Sequence, residues 1–267
     1  MAMAGSPAFL RALAEAQDWC EALGHASAEG RHCHLVSDPQ HPALWSANHA
    51  SAIRAASAEE IDETLEDIEA AFSHSPYRVV DADAFTPPAF LARLALDGWQ
   101  EQPAVILMAL QGSLPPLAGP ALAVDAVQTD ADWAELRSLH ELDLAEGART
   151  GGAHPAEIAE GLYQVMRKKA AAGRIFLARH AGRASAYAMA VPAAAGFGLV
   201  DDVFTAPDLR RRGIASALIA HCVAWLRQQG CGTAFLTARA SDRPKVLYAR
   251  LGFMPEMLAH RWVKTMS

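Results

Sequence analysis

Between residues 197 and 238 an apolar run ends in a basic turn, Thr205-Ala-Pro-Asp-Leu-Arg210-Arg211-Arg212-Gly213, which opens into a helical repeat and then a second apolar run. Ile214, Ala217, Leu218, Cys222 and Trp225 recur at helical spacing, and Gly230 ends the repeat. Strand, turn, helix and strand in that order form one crossover unit, so the flanking strands are predicted to be parallel neighbours. Just before it, residues 175–179, 185–191 and 197–205 are strand-like runs separated by Gly182 and Gly196, the pattern of an antiparallel meander. The expected fold class is therefore α/β, with a mixed, largely antiparallel sheet flanked by helices.

Gln111-Gly-Ser-Leu-Pro-Pro-Leu-Ala-Gly-Pro120 contains three prolines and two glycines, which deny both helix and ladder hydrogen bonds. It divides the chain into an N-terminal accessory domain, α/β or helical, over residues 1–118 and a second domain over 119–267. In the first, helices are expected from Ser6-Pro7 to Gly24, from Ser57 with Glu60 at capping-box spacing, and between Thr86 and Gly98. Ile61, Leu65, Ile68 and Phe72 form the apolar stripe of the middle helix. A strand is expected over 104–110, and residues 24–57 read mostly as loop. In the second domain, 122–128 reads as a strand, and 130–146 as a helix burying Trp133, Leu136, Leu139 and Leu142. Residues 155–172 and 244–251 read as helices, and 257–264 as a last strand.

Three consecutive arginines between a strand end and a helix start need a reason. The first amides of a helix lack intrahelical partners and sit at the positive end of its dipole, which suits an anion. Gly213 lets backbone approach that anion, and Ala215 keeps the approach clear. A phosphate loop of the Gly-Lys-Ser/Thr kind is excluded because that triplet is missing, and a dinucleotide fingerprint because only one glycine is present. The bland alternative is a solvated surface turn.

Arg210, Gly213 and Ala215 fit the signature of the GNAT superfamily of N-acetyltransferases, Arg or Gln, two residues, Gly, one residue, then Gly or Ala, and this region resembles that family. The resemblance spans roughly residues 121–267. It implies that backbone of Val203, Phe204 and Thr205 contacts the pantetheine arm of acetyl-coenzyme A. It also implies that Arg211, Arg212, Gly213, Ile214, Ala215 and Ser216 cradle the pyrophosphate, with Arg210 structural or phosphate-facing. A second family feature, Leu247-Tyr248-Ala-Arg-Leu-Gly252-Phe253, implies that Tyr248 protonates the departing thiolate. Where the family often has a cofactor-contacting Asn, this chain has Ser241, and where it often has Ala, Pro244. Ala92-Arg-Leu-Ala-Leu-Asp-Gly98-Trp99 before a strand echoes the Tyr248 segment, which leaves a degenerate GNAT-like module in residues 1–118 open.

The acceptor amine must be neutral to attack, so a carboxylate base is sought near the pantetheine segment. Asp201 and Asp202 are the candidates, against a strand-end ion pair with a nearby arginine. Alternation puts Asp201 on the face of Val203, an inference that a bulge would invert. Glu141, Asp143 and Glu146 are candidates to bind a cationic acceptor, or else a solvated helix face. None of Cys20, Cys33, Cys222 and Cys231 lies at the proposed reaction centre, so direct transfer is expected without an acyl-enzyme. His221 is expected to be a packed histidine. His32, Cys33, His34 and His41 lack metal-site spacing, and no metal is expected.

A net charge of −7 argues against a nucleic-acid partner. No apolar run reaches the ~20 residues of a membrane span, and with no signal-like N-terminus a cytoplasmic protein is expected. The expected activity is acetyl-coenzyme A dependent transfer to a small-molecule or peptide amine. The alternative is a non-catalytic acyl-coenzyme A binding regulatory module, and a homodimer stays open.

Overall fold

The computed structural model describes residues 5–116, 122–151 and 156–266, the side chains of 147–151 excepted. The first elements are α1 (Pro7–Ala22), β1 (Ala26–Glu29), β2 (His34–Ser37), β3 (His49–Ser51), α2 (Ala58–Ala71), β4 (Tyr77–Ala82), α3 (Pro88–Leu96), β5 (Gln100–Glu101) and β6 (Val105–Leu110). There follow β7 (Ala123–Ala126), α4 (Asp130–Gly151), α5 (Ala156–Lys169), β8 (Arg174–His180), β9 (Arg183–Pro192) and β10 (Phe197–Thr205). The last are α6 (Ile214–Gln228), β11 (Thr233–Arg239), α7 (Pro244–Arg250) and β12 (Met254–Thr265). The expected boundary at 118, and Pro155, lie outside the described residues.

Two compact units result, and no single cut in the sequence separates them. One comprises Met1–Leu107, Thr237–Lys245 and Pro255–Ser267; the other comprises Met108–Leu236 and Val246–Met254. The reason is β12, which pairs antiparallel with β4 from His260↔Ala82 to Thr265↔Tyr77.

The first unit is α/β. Its sheet runs β1-β2-β3-β4-β12, with β5 also on β12. The β3–β4 pair is parallel and is bridged by α2, while β1–β2 and β2–β3 are antiparallel. The N-terminus of α1 follows its sequence, with Ser6 Oγ accepting from Phe9 N–H at 3.2 Å and Pro7 in the first turn. The capping box on α2 is reciprocal. Ser57 Oγ accepts from Glu60 N–H, and Glu60 Oε2 accepts from the N–H groups of Ser57 and Ala56 at 2.9 Å. Residues 24–57 are mostly loop, as expected, but they also hold the short strands β1, β2 and β3. These strands have only three or four residues and β1 is exposed throughout, so no alternation marks it.

Ile61, Ile68, Phe72, Phe90, Leu94 and Trp99 share the core of this unit. Phe90 is completely buried. Phe90→Ala is expected to cost about 3–5 kcal/mol, from lost transfer energy and the cavity left behind. Urea unfolding followed by circular dichroism measures it as a lower midpoint.

In the second unit the strand order is β7-β8-β9-β10-β11. The β7–β8, β8–β9 and β9–β10 pairs are antiparallel, and β10–β11 is parallel across the α6 crossover. Both the meander and the parallel pair follow the sequence expectation. Along α4, Leu136 and Leu139 are buried, but Leu142 is 45% exposed, contrary to expectation; His140 is buried instead. Among the described residues, no helix is long and apolar enough to cross a membrane.

Candidate functional site

The site is built where β10 loses a neighbour. Its pairing with β11 covers only Phe197↔Thr233 to Leu199↔Phe235, whereas its pairing with β9 continues to Thr205↔Ala186. Among the described residues β10 has no registered partner on β11 past Leu199, over a stretch that includes Val203, Phe204 and Thr205. Across from it, the register jumps between Asp201↔Met189 and Phe204↔Tyr187, three steps on β10 against two on β9. Asp202 takes a left-handed φ of 50°, so the strand carries a bulge. The bulge breaks the alternation that put Asp201 on the face of Val203. Asp201 and Val203 are half-buried, Asp202 is exposed, and Phe204 and Thr205 are buried.

Beyond β10 the basic turn makes two left-handed steps, at Arg211 (φ 62°) and at Gly213 (φ 80°, ψ 1°). Gly213 is the N-cap of α6 and no side chain caps that end. The Ala217 N–H reaches back to the Gly213 carbonyl, which leaves the amides of Ile214, Ala215 and Ser216 without intrahelical acceptors. Such a cluster of outward N–H groups is an anion cradle, with Arg211 and Arg212 exposed beside it. Arg210 stands apart from its neighbours. Its Nε donates to the Thr205 carbonyl at 2.9 Å, its guanidinium pairs with both carboxylate oxygens of Glu146, and its ring neighbour is Phe204 at 5.7 Å. Hydrogen bonding to Glu146 raises its pKa still further. Arg210 therefore fastens the turn to β10 and α4.

Tyr248 lies in α7 and is only 7% exposed. Burial, reinforced by Asp201, pushes its hydroxyl up to about 12. Asp201 also faces Lys169 of α5, whose Nζ is 3.7 Å from Oδ2. The ion pair sought for Asp201 thus comes from α5 and not from the arginine turn. Ser241 is exposed, donates to Asp242 at 3.3 Å, and falls in the other compact unit.

A second group converges on the same stretch of β10. From α4, His140 Nδ1 lies 3.2 Å from the Tyr187 hydroxyl of β9, which donates to Asp143 Oδ2 at 3.0 Å. Tyr187 is buried opposite Phe204, with ring centroids 5.7 Å apart. Burial raises the Asp143 pKa, and Glu146 adds to it. Burial also lowers that of His140. Of these, Asp143 and Glu146 were readable as acceptor-side carboxylates; His140 and Tyr187 carried no sequence signal beyond their positions on buried faces.

The cysteines are buried. Burial pushes the Cys33 and Cys222 thiols up to about 12, far from the thiolate a nucleophile requires. His221 packs its ring 4.7 Å from Phe176. Away from this site, His32 Nε2 lies 2.8 Å from Glu63 Oε2.

Residues 133–253 match the acetyltransferase (GNAT) family. A GCN5-related N-acetyltransferase from Kribbella flavida superposes with a TM-score of 0.72 at 20% identity, over 96% of this chain and 95% of that one. A functionally unknown conserved protein from Staphylococcus epidermidis gives 0.67 at 13% identity, over 91% and 95%. A tandem GNAT protein from the clavulanic acid biosynthesis pathway gives 0.54 at 16%, over 77% and 69%. These are likenesses of fold, and they extend into the N-terminal half. No curated protein sequence matches the chain.

Proposed function

Because residues 133–253 match the acetyltransferase (GNAT) family, we propose that the chain is an acetyl-coenzyme A dependent N-acetyltransferase that moves acetyl directly to an amine, either a small molecule or a peptide. The observation that carries this reading is the uncapped, left-handed entry to α6 at Gly213, flanked by two exposed arginines. In it, main-chain groups of Val203 to Thr205 hold the pantetheine arm. The amides from Arg211 to Ser216 bind the pyrophosphate, while Arg210 braces the turn through Glu146 and Thr205. Bound acetyl-coenzyme A supplies an activated thioester carbonyl. Tyr248 stays protonated at neutral pH because burial opposes its phenolate, so it can give a proton to the leaving sulfur. With the thiols of Cys33 and Cys222 held neutral, a covalent acyl-enzyme has no support from them.

The first unit contains the same crossover, β3-α2-β4, but its helix entry is filled by its own chain. Ser57 Oγ accepts from the Glu60 amide of α2, the Glu60 carboxylate accepts from the Ser57 and Ala56 amides just before the helix, and Glu59 adds negative charge there. An anionic pyrophosphate is therefore repelled from α2 and accepted at α6. Titration calorimetry with acetyl-coenzyme A is expected to give one molecule bound per chain, and a coenzyme A release screen against amines is expected to find a substrate. Absence of binding, or two equivalent sites, would sink the reading.

A further inference from the structure

Given acetyl transfer at this site, we infer that Asp143 takes the proton from the acceptor amine, and that Tyr187 and His140 are the positioning residues that hold it. Asp143 is the half-buried outer end of a chain of contacts whose inner members, Tyr187 at 1% and His140 at 9% exposure, cannot themselves meet a substrate. Its hydrogen bond from Tyr187 holds it, on α4, over the β9–β10 pair. Tyr187 is registered against Phe204, and Arg210, which bonds to the Thr205 carbonyl, acts electrostatically on Asp143.

The hydrogen-bond polarity follows from counting protons. Tyr187 has one hydroxyl hydrogen, and it goes to Asp143. The Tyr187 oxygen is then an acceptor, so the hydrogen of the neutral His140 ring lies on Nδ1. Nε2 is left as a bare lone pair, and that atom is buried without a partner among the described residues. Every donor in the chain thus points toward the Asp143 carboxylate, and no proton is left to be passed inward. Asp143 is a terminal acceptor that exchanges with solvent.

The candidates from β10 serve less well. Asp201 is engaged by Lys169, and Asp202 is the exposed left-handed residue of the bulge. Both act on Tyr187 from that side. An acceptor arriving as R-NH3+ must shed two protons to become an amide. One leaves through the Asp143 carboxylate to water. As the C–N bond forms and the C–S bond breaks, the sulfur takes a proton from the Tyr248 hydroxyl, which is restored by the second.

The groups facing Asp143 are Tyr187 from β9, Glu146 from its own helix and Arg210 from the turn. A base works only when deprotonated, so kcat/KM should rise with pH through the Asp143 titration, which burial displaces above the ordinary carboxylate range. Tyr187→Phe removes the donor that opposes this displacement, so the acidic limb should move to higher pH.

The test uses the full chain carrying 13C-carboxyl aspartate, with spermidine, kanamycin, free amino acids and a tetrapeptide as probe amines. Asp143→Asn should remove one carboxyl titration and lower kcat/KM by about 10²- to 10⁴-fold, with acetyl-coenzyme A affinity retained as a control for folding. Tyr187→Phe should move that titration and the acidic limb together. If the wild type turns over an amine and Asp143→Asn does so equally, or if the titration moves without the limb, the assignment of the base is overturned alone. A wild type that binds acetyl-coenzyme A but acetylates none of these amines overturns the transfer reading, and the base with it.

Discussion

Gly213→Val is expected to weaken acetyl-coenzyme A binding more than tenfold while leaving the protein folded. Gly213 holds φ 80° at the N-cap of α6, a region that costs an L residue about 1–2 kcal/mol, and a β-branched one more. The least costly relief is for the turn to relax to negative φ. The amides of Ile214, Ala215 and Ser216 then no longer converge on one anion. Because a tenfold loss corresponds to only about 1.4 kcal/mol, losing one well-aimed amide suffices. Calorimetry with acetyl-coenzyme A measures the effect, and a thermal melt checks the fold. Unchanged affinity would make the turn an ordinary solvated surface loop.

The basic turn was legible because its chemistry is local: a strand end, three arginines, a glycine and a helix start follow one another in the sequence. What escaped was set by angle and by distant pairing. On α4, apolar residues at 133, 136, 139 and 142 look like one stripe, yet at about 100° per residue every three-residue step slips by about 60°. Leu142 therefore ends about 120° from Leu136, while His140 and Asp143 lie about 40° and about 20° from it. That is why Leu142 is exposed and why His140, Asp143 and Tyr187 meet. On β10, simple alternation predicted the faces of Asp201 and Val203, but one left-handed residue at Asp202 resets the count. Aspartate tolerates left-handed φ better than most residues, but two adjacent aspartates do not say which of them takes the step.

The first unit was hidden for a different reason. Strands β1, β2 and β3 are too short to show a period, and β4, with Val79, Val80 and Ala82 buried, carries Arg78 and Asp81 within it. Arg78 spends its guanidinium on Glu69 and on the carbonyls of Phe72 and Ser75, and Asp81 on Arg261 of β12. Arg78 is satisfied by groups that precede it closely in the chain, whereas Asp81 depends on a partner far away in sequence. The same distant pairing takes β12 out of the linear C-terminal domain and into the first unit.

Tyr248→Phe is expected to lower kcat by about 10²- to 10⁴-fold, the contribution of a positioned general acid, while acetyl-coenzyme A affinity stays within about twofold, too small a change to register as lost binding. The substitution keeps the ring, its buried volume and its edge contact with Phe253 at 6.4 Å between centroids. Only the hydroxyl group goes, and with it the transferable proton. In wild type that proton stays in place across the working range, because burial pushes the hydroxyl up to about 12 and the acid form is present at every pH below that value. A chain that only senses acyl-coenzyme A has no leaving sulfur to protonate and should ignore the change. Comparing kcat with calorimetric affinity for wild type and variant therefore separates the readings: lost turnover with retained binding identifies a transferase that uses Tyr248, unaltered turnover removes Tyr248 from the mechanism, and equal binding with no turnover in either protein identifies the sensor.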